Sequence, residues 1–212
     1  MPLRLPDSPF LYPIIDAEFS SDFAADTMKL IRAGVRILQV RAKNVSRRLL
    51  HDIVKEVELL CSEYHVRVIV NDSVDVALVT NASGVHLGQE DFPCADARNI
   101  LPEKIIGIST HNEEQFEAAQ KLDVDYVAIG PVYETGTKQG PNPPLGIPRI
   151  VPLLQKKIKS VVCIGGIRQH HVRSLLNAGC DGIAVISGLY FTNDVYEGAC
   201  RLMEEFQEYE KI

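Results

Sequence analysis

Short runs of apolar and β-branched residues alternate along the chain with longer segments in which apolar residues recur at helical spacing. Few polar residues interrupt the short runs, as expected for strands that are buried on both faces. We predict eight such strands: Tyr12–Asp16, Ile37–Arg41, Arg67–Asn71, Gly84–Leu87, Ile105–Ser109, Tyr126–Ile129, Val161–Ile164 and Gly182–Ile186.

The segments between these strands carry the periodicity and the end signals of amphipathic helices. One apolar stripe at helical spacing consists of Leu49, Leu50, Ile53, Val54, Val57, Leu60, Cys61 and Tyr64. Ser21 and Ser46 are predicted to cap helix starts, and residues 110–113 have the form of a capping box. Gly34 and Gly179 each follow an alanine and are predicted to end helices in the left-handed conformation.

Eight strands that alternate with helices predict a parallel sheet. Sharing 212 residues among eight units gives about 26 residues per unit, close to the minimum for a strand and its crossover helix. We therefore predict an α/β fold: one (β/α)₈ TIM-barrel domain over residues 1–212. The competing fold is a doubly wound open sheet. That fold favours a glycine-rich turn after the first strand, and residues 16–20 contain no glycine.

Composition narrows the class of protein. Hydrophobic residues make up 46% of the chain and charged residues 24%, which is typical of globular proteins. The net charge of −6 and the shortness of the basic clusters argue against a nucleic-acid partner. No apolar run approaches the ~20 residues of a membrane span. Five cysteines without a CxxC motif or a secretion signal predict a cytoplasmic protein with free thiols. The oligomeric state stays open, a homo-oligomer included.

Polar residues gather at the predicted carboxyl ends of the strands, where TIM barrels carry their active sites. Gln39, Arg41 and Lys43 occupy alternate positions at the end of the second strand. Alternate residues share a face, so all three can point into the barrel mouth. Cations in this arrangement suit a phosphate or pyrophosphate. The alternative is that they are solvated charges on the rim.

Asp72 and Asp91 follow neighbouring strands, close to these cations. Two carboxylates beside a phosphate site are typical ligands of Mg²⁺, which also takes phosphate oxygens and waters. The alternative is that Asp72 caps a helix and Asp91 belongs to a loop turn.

A second anion site is indicated by Gly165–Gly166 after the seventh strand and Ser187–Gly188 after the eighth. The alternative is that these glycines serve only the backbone geometry of the turns. His86 is either a core histidine or a ligand contact, and His111 receives no catalytic role. Zinc-ligand spacing and a GxSxG motif are absent from the sequence.

Taken together, the motifs resemble the thiamine-phosphate synthase family over nearly the whole chain. They are Gln39-x-Arg41-x-Lys43, Val70-Asn71-Asp72, Gly84 to Asp91, Gly107-x-Ser109-x-His111, Gly130-Pro131, Thr135-Gly136-Thr137-Lys138, Pro143 to Gly146, Ile164 to Ile167 and Ile186-Ser187.

The resemblance implies condensation of 4-amino-2-methyl-5-hydroxymethylpyrimidine pyrophosphate with 4-methyl-5-(2-phosphooxyethyl)thiazole, giving thiamine phosphate and pyrophosphate. It implies that the pyrimidine pyrophosphate is held by Gln39, Arg41, Lys43, Asn71, Ser109 and Lys138. It implies that Mg²⁺ is held by Asp72 and Asp91. It implies that the thiazole phosphate is held by Thr135, Thr137, Gly166, Ile186 and Ser187. The expected catalytic residues are Lys138, Arg41 and Lys43.

Two other functions remain open. A related thiazole tautomerase shares the fold and suits His111 as an acid–base group, although it is expected to lack much of the Gln-x-Arg-x-Lys, Asn-Asp and Thr-x-Thr-Lys set that this chain contains. A non-catalytic sensor of a phosphorylated ligand is the third candidate, because a fold alone does not determine function.

Overall fold

The computed structural model describes residues 3–136, 143–192 and 194–209. Eight parallel strands close into a barrel in chain order. The strands are β1 (Phe10–Asp16), β2 (Ile37–Arg41), β3 (Arg67–Asn71), β4 (Gly84–Leu87), β5 (Ile105–Thr110), β6 (Tyr126–Ile129), β7 (Ser160–Ile164) and β8 (Gly182–Val185).

A helix follows each strand. The helices are α1 (Phe23–Arg32), α2 (Arg47–Ser62), α3 (Val74–Val79), α4 (Cys94–Ile100), α5 (Glu113–Ala119), α6 (Ile147–Gln155), α7 (Gln169–Asn177) and α8 (Val195–Tyr209). Within the described residues, none of these helices has the length and hydropathy of a membrane span.

The predicted TIM barrel is confirmed, and the open-sheet alternative is wrong because β1 pairs with both β2 and β8. The bounds of β2, β3, β4 and β6 match the prediction, and those of the other strands differ by one or two residues at one end. Closure brings the carboxyl ends of all eight strands to one opening, which we call the mouth.

The side chains form two apolar cores, one on each face of the sheet. Ile37 and Ile69 belong to the core inside the barrel, whereas Leu38 and Val70 pack between the sheet and the helices. Neighbouring residues of one strand thus enter different cores, because successive side chains point to opposite faces. This parity also sends every second residue at a strand end into the mouth.

Two of the predicted helix caps are wrong by one or two residues. Asp22, not Ser21, caps α1, accepting a hydrogen bond from the Ala25 amide at 2.9 Å. Asn112, not Thr110, caps α5. In both cases the cap is the residue directly before the first helical one. Ser46 does cap α2, as predicted.

The predicted left-handed helix ends are confirmed. Gly34 has a φ of 85° and Gly179 a φ of 91°.

Candidate active site

Arg41 ends β2 and lies in the mouth, with only 5% of its surface exposed. Its Nη1 donates to the Oδ2 of Asp16, the fully buried last residue of β1. The barrel register sets the two residues side by side. Its Nε is buried and has no hydrogen-bond partner among the described residues. A buried guanidinium N–H without an acceptor indicates that an anionic ligand completes the site.

Asp16 is a site residue that the sequence analysis missed. The available signal was an acid that ends the strand next to Arg41. Its Oδ1 also accepts the Glu18 amide at 3.0 Å, so the carboxylate is held from two sides. Asp16 thereby orients the Arg41 guanidinium in the mouth.

Lys43 follows Arg41 by two residues and is about half exposed, with its Nζ 3.2 Å from Asp72 Oδ2. Asp72 has a φ of 61°, and its amide donates to the His86 carbonyl at 2.8 Å. The predicted alternative role for Asp72 is excluded, since Ser73 occupies the cap position of α3. The structure therefore presents the Asp72 carboxylate at the mouth.

Asp91 brings a second carboxylate close enough to Asp72 to raise the pKa of the Asp72 carboxyl. Its Oδ2 accepts the Gly88 amide at 2.7 Å, so Asp91 also organises its own loop turn. Burial raises the pKa of the Asp72 carboxyl above its usual value, and Asp91 raises it further, while Lys43 opposes both. Two adjoining carboxylates are electrostatically costly unless a cation or a proton joins them.

The donor set fits a magnesium ion. Within the described part of the chain, no group of three or more histidine, cysteine, aspartate or glutamate residues is arranged to hold a metal. Two carboxylates alone suit Mg²⁺, which commonly keeps several waters and binds substrate phosphate oxygens. Asp72 and Asp91 would hold it.

The floor of the mouth is polar and buried. Gln39, Asn71 and Ser109 are each less than 10% exposed and lie on β2, β3 and β5. His86 lies between them, and its Nε2 is 2.8 Å from Ser109 Oγ. Gln39, Arg41, Asn71 and His86 line one common cavity with Tyr12. Of the described residues expected to hold the pyrimidine pyrophosphate, Gln39, Arg41 and Asn71 thus share one cavity, and Ser109 adjoins it through His86.

The residues expected to form a second anion site follow β7 and β8, at the same mouth. Gly166 has a φ of 65°, and a Cβ there would be 2.3 Å from the Glu134 carbonyl oxygen. Only glycine therefore allows the segment after β6, which contains Thr135, to lie against this turn. Ile186, directly after β8, lines the cavity, and Ser187 follows it, half-buried.

His171, near the start of α7, strengthens this arrangement. Its ring stacks on Tyr133 with centroids 3.7 Å apart. Tyr133 in turn donates its amide to the Gly165 carbonyl at 3.0 Å. Two predicted site residues, Thr137 and Lys138, lie outside the described residues.

The hydrogen bonds that the structure gives for His111 are separate from those of His86. Its Nδ1 is 2.8 Å from the Gly130 carbonyl oxygen, and its amide donates to Gln115. These hydrogen bonds give His111 a structural role in the turn between β5 and α5.

A closed parallel barrel with a cation–carboxylate cluster and a glycine turn at one mouth is typical of TIM-barrel enzymes that bind phosphorylated small molecules. The family model described as thiamine monophosphate synthase matches residues 11–189. The chain therefore belongs to this family.

Individual relatives agree with the family match. The thiamine-phosphate synthase of Clostridium novyi (strain NT) is 39% identical over 196 residues, covering 91% of this chain and 96% of that protein. The one from Shouchella clausii (strain KSM-K16) is 36% identical over 201 residues, covering 93% and 96%. Among solved structures, thiamine phosphate pyrophosphorylase from Pyrococcus furiosus superposes with a TM-score of 0.87 at 33% identity, covering 94% and 96%.

Proposed function

We propose that this protein is a thiamine-phosphate synthase. It would join the pyrimidine pyrophosphate to the thiazole phosphate and release pyrophosphate. The observation that carries the proposal is the Nε of buried Arg41, which has no hydrogen-bond partner in the described part of the chain, together with the Lys43–Asp72 pair and Asp91. The turn at Gly166, which lies against the Glu134 carbonyl, would provide a second anion site across the same mouth.

The first chemical step would be departure of pyrophosphate from the pyrimidine methylene carbon. The carbon–oxygen bond breaks and its electron pair leaves with the pyrophosphate. Arg41, Lys43 and Lys138 would neutralise the charge that grows on this leaving group. Mg²⁺, held by Asp72 and Asp91, would supply further charge neutralisation when bound. Asp16 keeps the guanidinium in place throughout.

The second step would be attack of the thiazole nitrogen on the methylene cation, which the electron-rich aminopyrimidine stabilises. The thiazole phosphate would be held by Gly166, Ile186, Ser187, Thr135 and Thr137. Holding both reactants in one mouth lowers the entropic barrier to carbon–nitrogen bond formation. The reaction requires no protein nucleophile.

We also propose that the protein works in the cytoplasm on these small molecules. Its five cysteines are all free thiols, as is usual in a reducing compartment.

The direct test is incubation with both substrates and Mg²⁺, with thiamine phosphate and pyrophosphate quantified together. We expect equal amounts of both products, and none when either substrate is omitted or a chelator is added. Conversion of a thiazole isomer without pyrophosphate release would instead support the tautomerase. Binding of thiamine phosphate without any condensation would support the sensor.

A further inference from the structure

A continuous chain of hydrogen bonds crosses the floor of the barrel mouth. Gln39 Nε2 donates to Tyr12 Oη at 3.0 Å, and Tyr12 Oη lies 2.9 Å from Tyr126 Oη. Tyr126 Oη is 2.9 Å from His86 Nδ1, and His86 Nε2 is 2.8 Å from Ser109 Oγ. All five side chains are buried. We call these five residues the floor chain.

The protons of the floor chain can be assigned by counting the hydrogen-bond donors and acceptors of each side chain. Burial raises the pKa of both tyrosines, so each hydroxyl keeps its single proton. Tyr12 accepts from Gln39 and has one other hydrogen-bond partner among the described residues, Tyr126. Its proton must therefore go to Tyr126, because a buried hydroxyl proton without an acceptor is costly.

The same counting continues to Ser109. Tyr126 accepts from Tyr12 and donates its proton to His86 Nδ1. With Nδ1 accepting, a neutral imidazole carries its proton on Nε2. His86 Nε2 then donates to Ser109 Oγ. The Ser109 hydroxyl thus accepts from His86 and has no acceptor for its own proton among the described residues, so that proton is available to an outside acceptor.

Gly107 is what admits Tyr126 to this position. It lies on β5, two residues before Ser109, and its missing side chain leaves room for the tyrosine ring. A Cβ at Gly107 would be 2.0 Å from Tyr126 Cζ and 2.5 Å from its hydroxyl oxygen. The ring also stacks on His86, with centroids 5.5 Å apart. Backbone and aromatic contacts together fix the Tyr126 hydroxyl against Nδ1.

We propose that Tyr126 is a positioning residue: it holds His86 in the Nε2–H tautomer and thereby orients the Ser109 hydroxyl as a donor to the pyrimidine pyrophosphate. The identity of this ligand rests on the proposed function, whereas the tautomer does not. Tyr126 itself acts through His86 and Ser109.

The tautomer is tested on the ligand-free protein with ¹⁵N-labelled histidine. Nuclear magnetic resonance distinguishes the two ring nitrogens, and a His86→Asn variant identifies the His86 signals. We expect the Nε2–H tautomer in the wild type and its loss or weakening in Tyr126→Phe. An Nδ1–H tautomer in the wild type would overturn the proposal, whether or not the protein has synthase activity.

The functional consequence is tested by the kinetics of Tyr126→Phe. We expect KM for the pyrimidine pyrophosphate to rise roughly 10-fold, the effect of one lost hydrogen bond, with KM for the thiazole phosphate unchanged. Thr110→Val is the matched control. The buried Thr110 hydroxyl on β5 donates to the carbonyl of Ala128, which lies on β6 with Tyr126, and this hydrogen bond is outside the floor chain. Equal rises in both KM values, or the same change in Thr110→Val, would overturn the proposal.

A double variant tests whether Tyr126 acts through Ser109. If it does, Tyr126→Phe combined with Ser109→Ala weakens binding of the pyrimidine pyrophosphate no more than Ser109→Ala alone. Fully additive losses would contradict it. Absence of condensation in the wild type would count against the proposed function and leave the tautomer measurement intact.

Discussion

Replacing Gly166 with alanine adds a methyl group where the segment after β6 already lies against the turn. The new Cβ would be 2.3 Å from the Glu134 carbonyl oxygen and 2.8 Å from that of Tyr133. Ordinary contacts begin at 3.4 Å, so this segment must move by about 1 Å. The φ of 65° at Gly166 adds a backbone cost of roughly 1–2 kcal/mol for any residue with a side chain.

The movement would displace Thr135 and the Gly166 backbone from the second anion site. Loss of one hydrogen bond to a charged phosphate costs about 1.5–3 kcal/mol, which corresponds to about 10- to 100-fold in affinity. We therefore expect Gly166→Ala to raise KM for the thiazole phosphate by that factor. KM for the pyrimidine pyrophosphate should change little, since Arg41, Lys43 and Asp72 lie at or just after the ends of β2 and β3.

The assay is steady-state formation of thiamine phosphate with each substrate varied in turn. Gly179→Ala is the matched control. Gly179 has a φ of 91°, and no atom lies within 4 Å of a Cβ added there. The variant therefore carries the backbone cost without the collision. A Gly166→Ala enzyme with an unchanged KM for the thiazole phosphate would refute the assignment of this turn.

Three further changes test the other half of the mouth. Asp72→Ala should lower turnover about 100-fold, and Mg²⁺ should raise the melting temperature of the wild type but not of this variant. Asp16→Ala leaves Arg41 buried without its carboxylate and should cost about 3–5 kcal/mol of unfolding free energy, measured by urea denaturation. Lys138→Ala should lower turnover strongly while circular dichroism shows an intact fold.

Each of these predictions has its own contrary result. Mg²⁺ stabilisation that persists in Asp72→Ala would move the metal elsewhere. Wild-type stability in Asp16→Ala would show that the Arg41 pair is not the buried interaction that the structure indicates. Full turnover in Lys138→Ala would remove its catalytic role.

Most of the barrel could be predicted because its strands are buried on both faces. Ile37–Arg41 and Arg67–Asn71 consist largely of apolar residues with polar ends, and both match the observed bounds. The helix caps were harder. Ser21 and Asp22 are both good capping residues, and the choice between them depends on where the backbone becomes helical.

The sequence predicted those parts of the candidate site whose residues lie at the end of a single strand. Arg41 and Lys43 share parity, so their common direction follows from the sequence. Asp16 was missed because its pairing with Arg41 depends on the register between two strands. Tyr126 was missed because a tyrosine within an apolar strand indicates a core residue. The hydrogen-bond partners of its hydroxyl come from β1 and β4.

The central claim is that two anion sites open into one mouth at a distance that allows a carbon–nitrogen bond between their occupants. A crystal structure of the protein with thiamine phosphate, pyrophosphate and Mg²⁺ tests this most directly. The account predicts the phosphate of the product at Gly166 and Ser187, and pyrophosphate with Mg²⁺ at Arg41, Lys43, Asp72 and Asp91. Pyrophosphate bound away from Arg41, or metal bound away from both carboxylates, would contradict it.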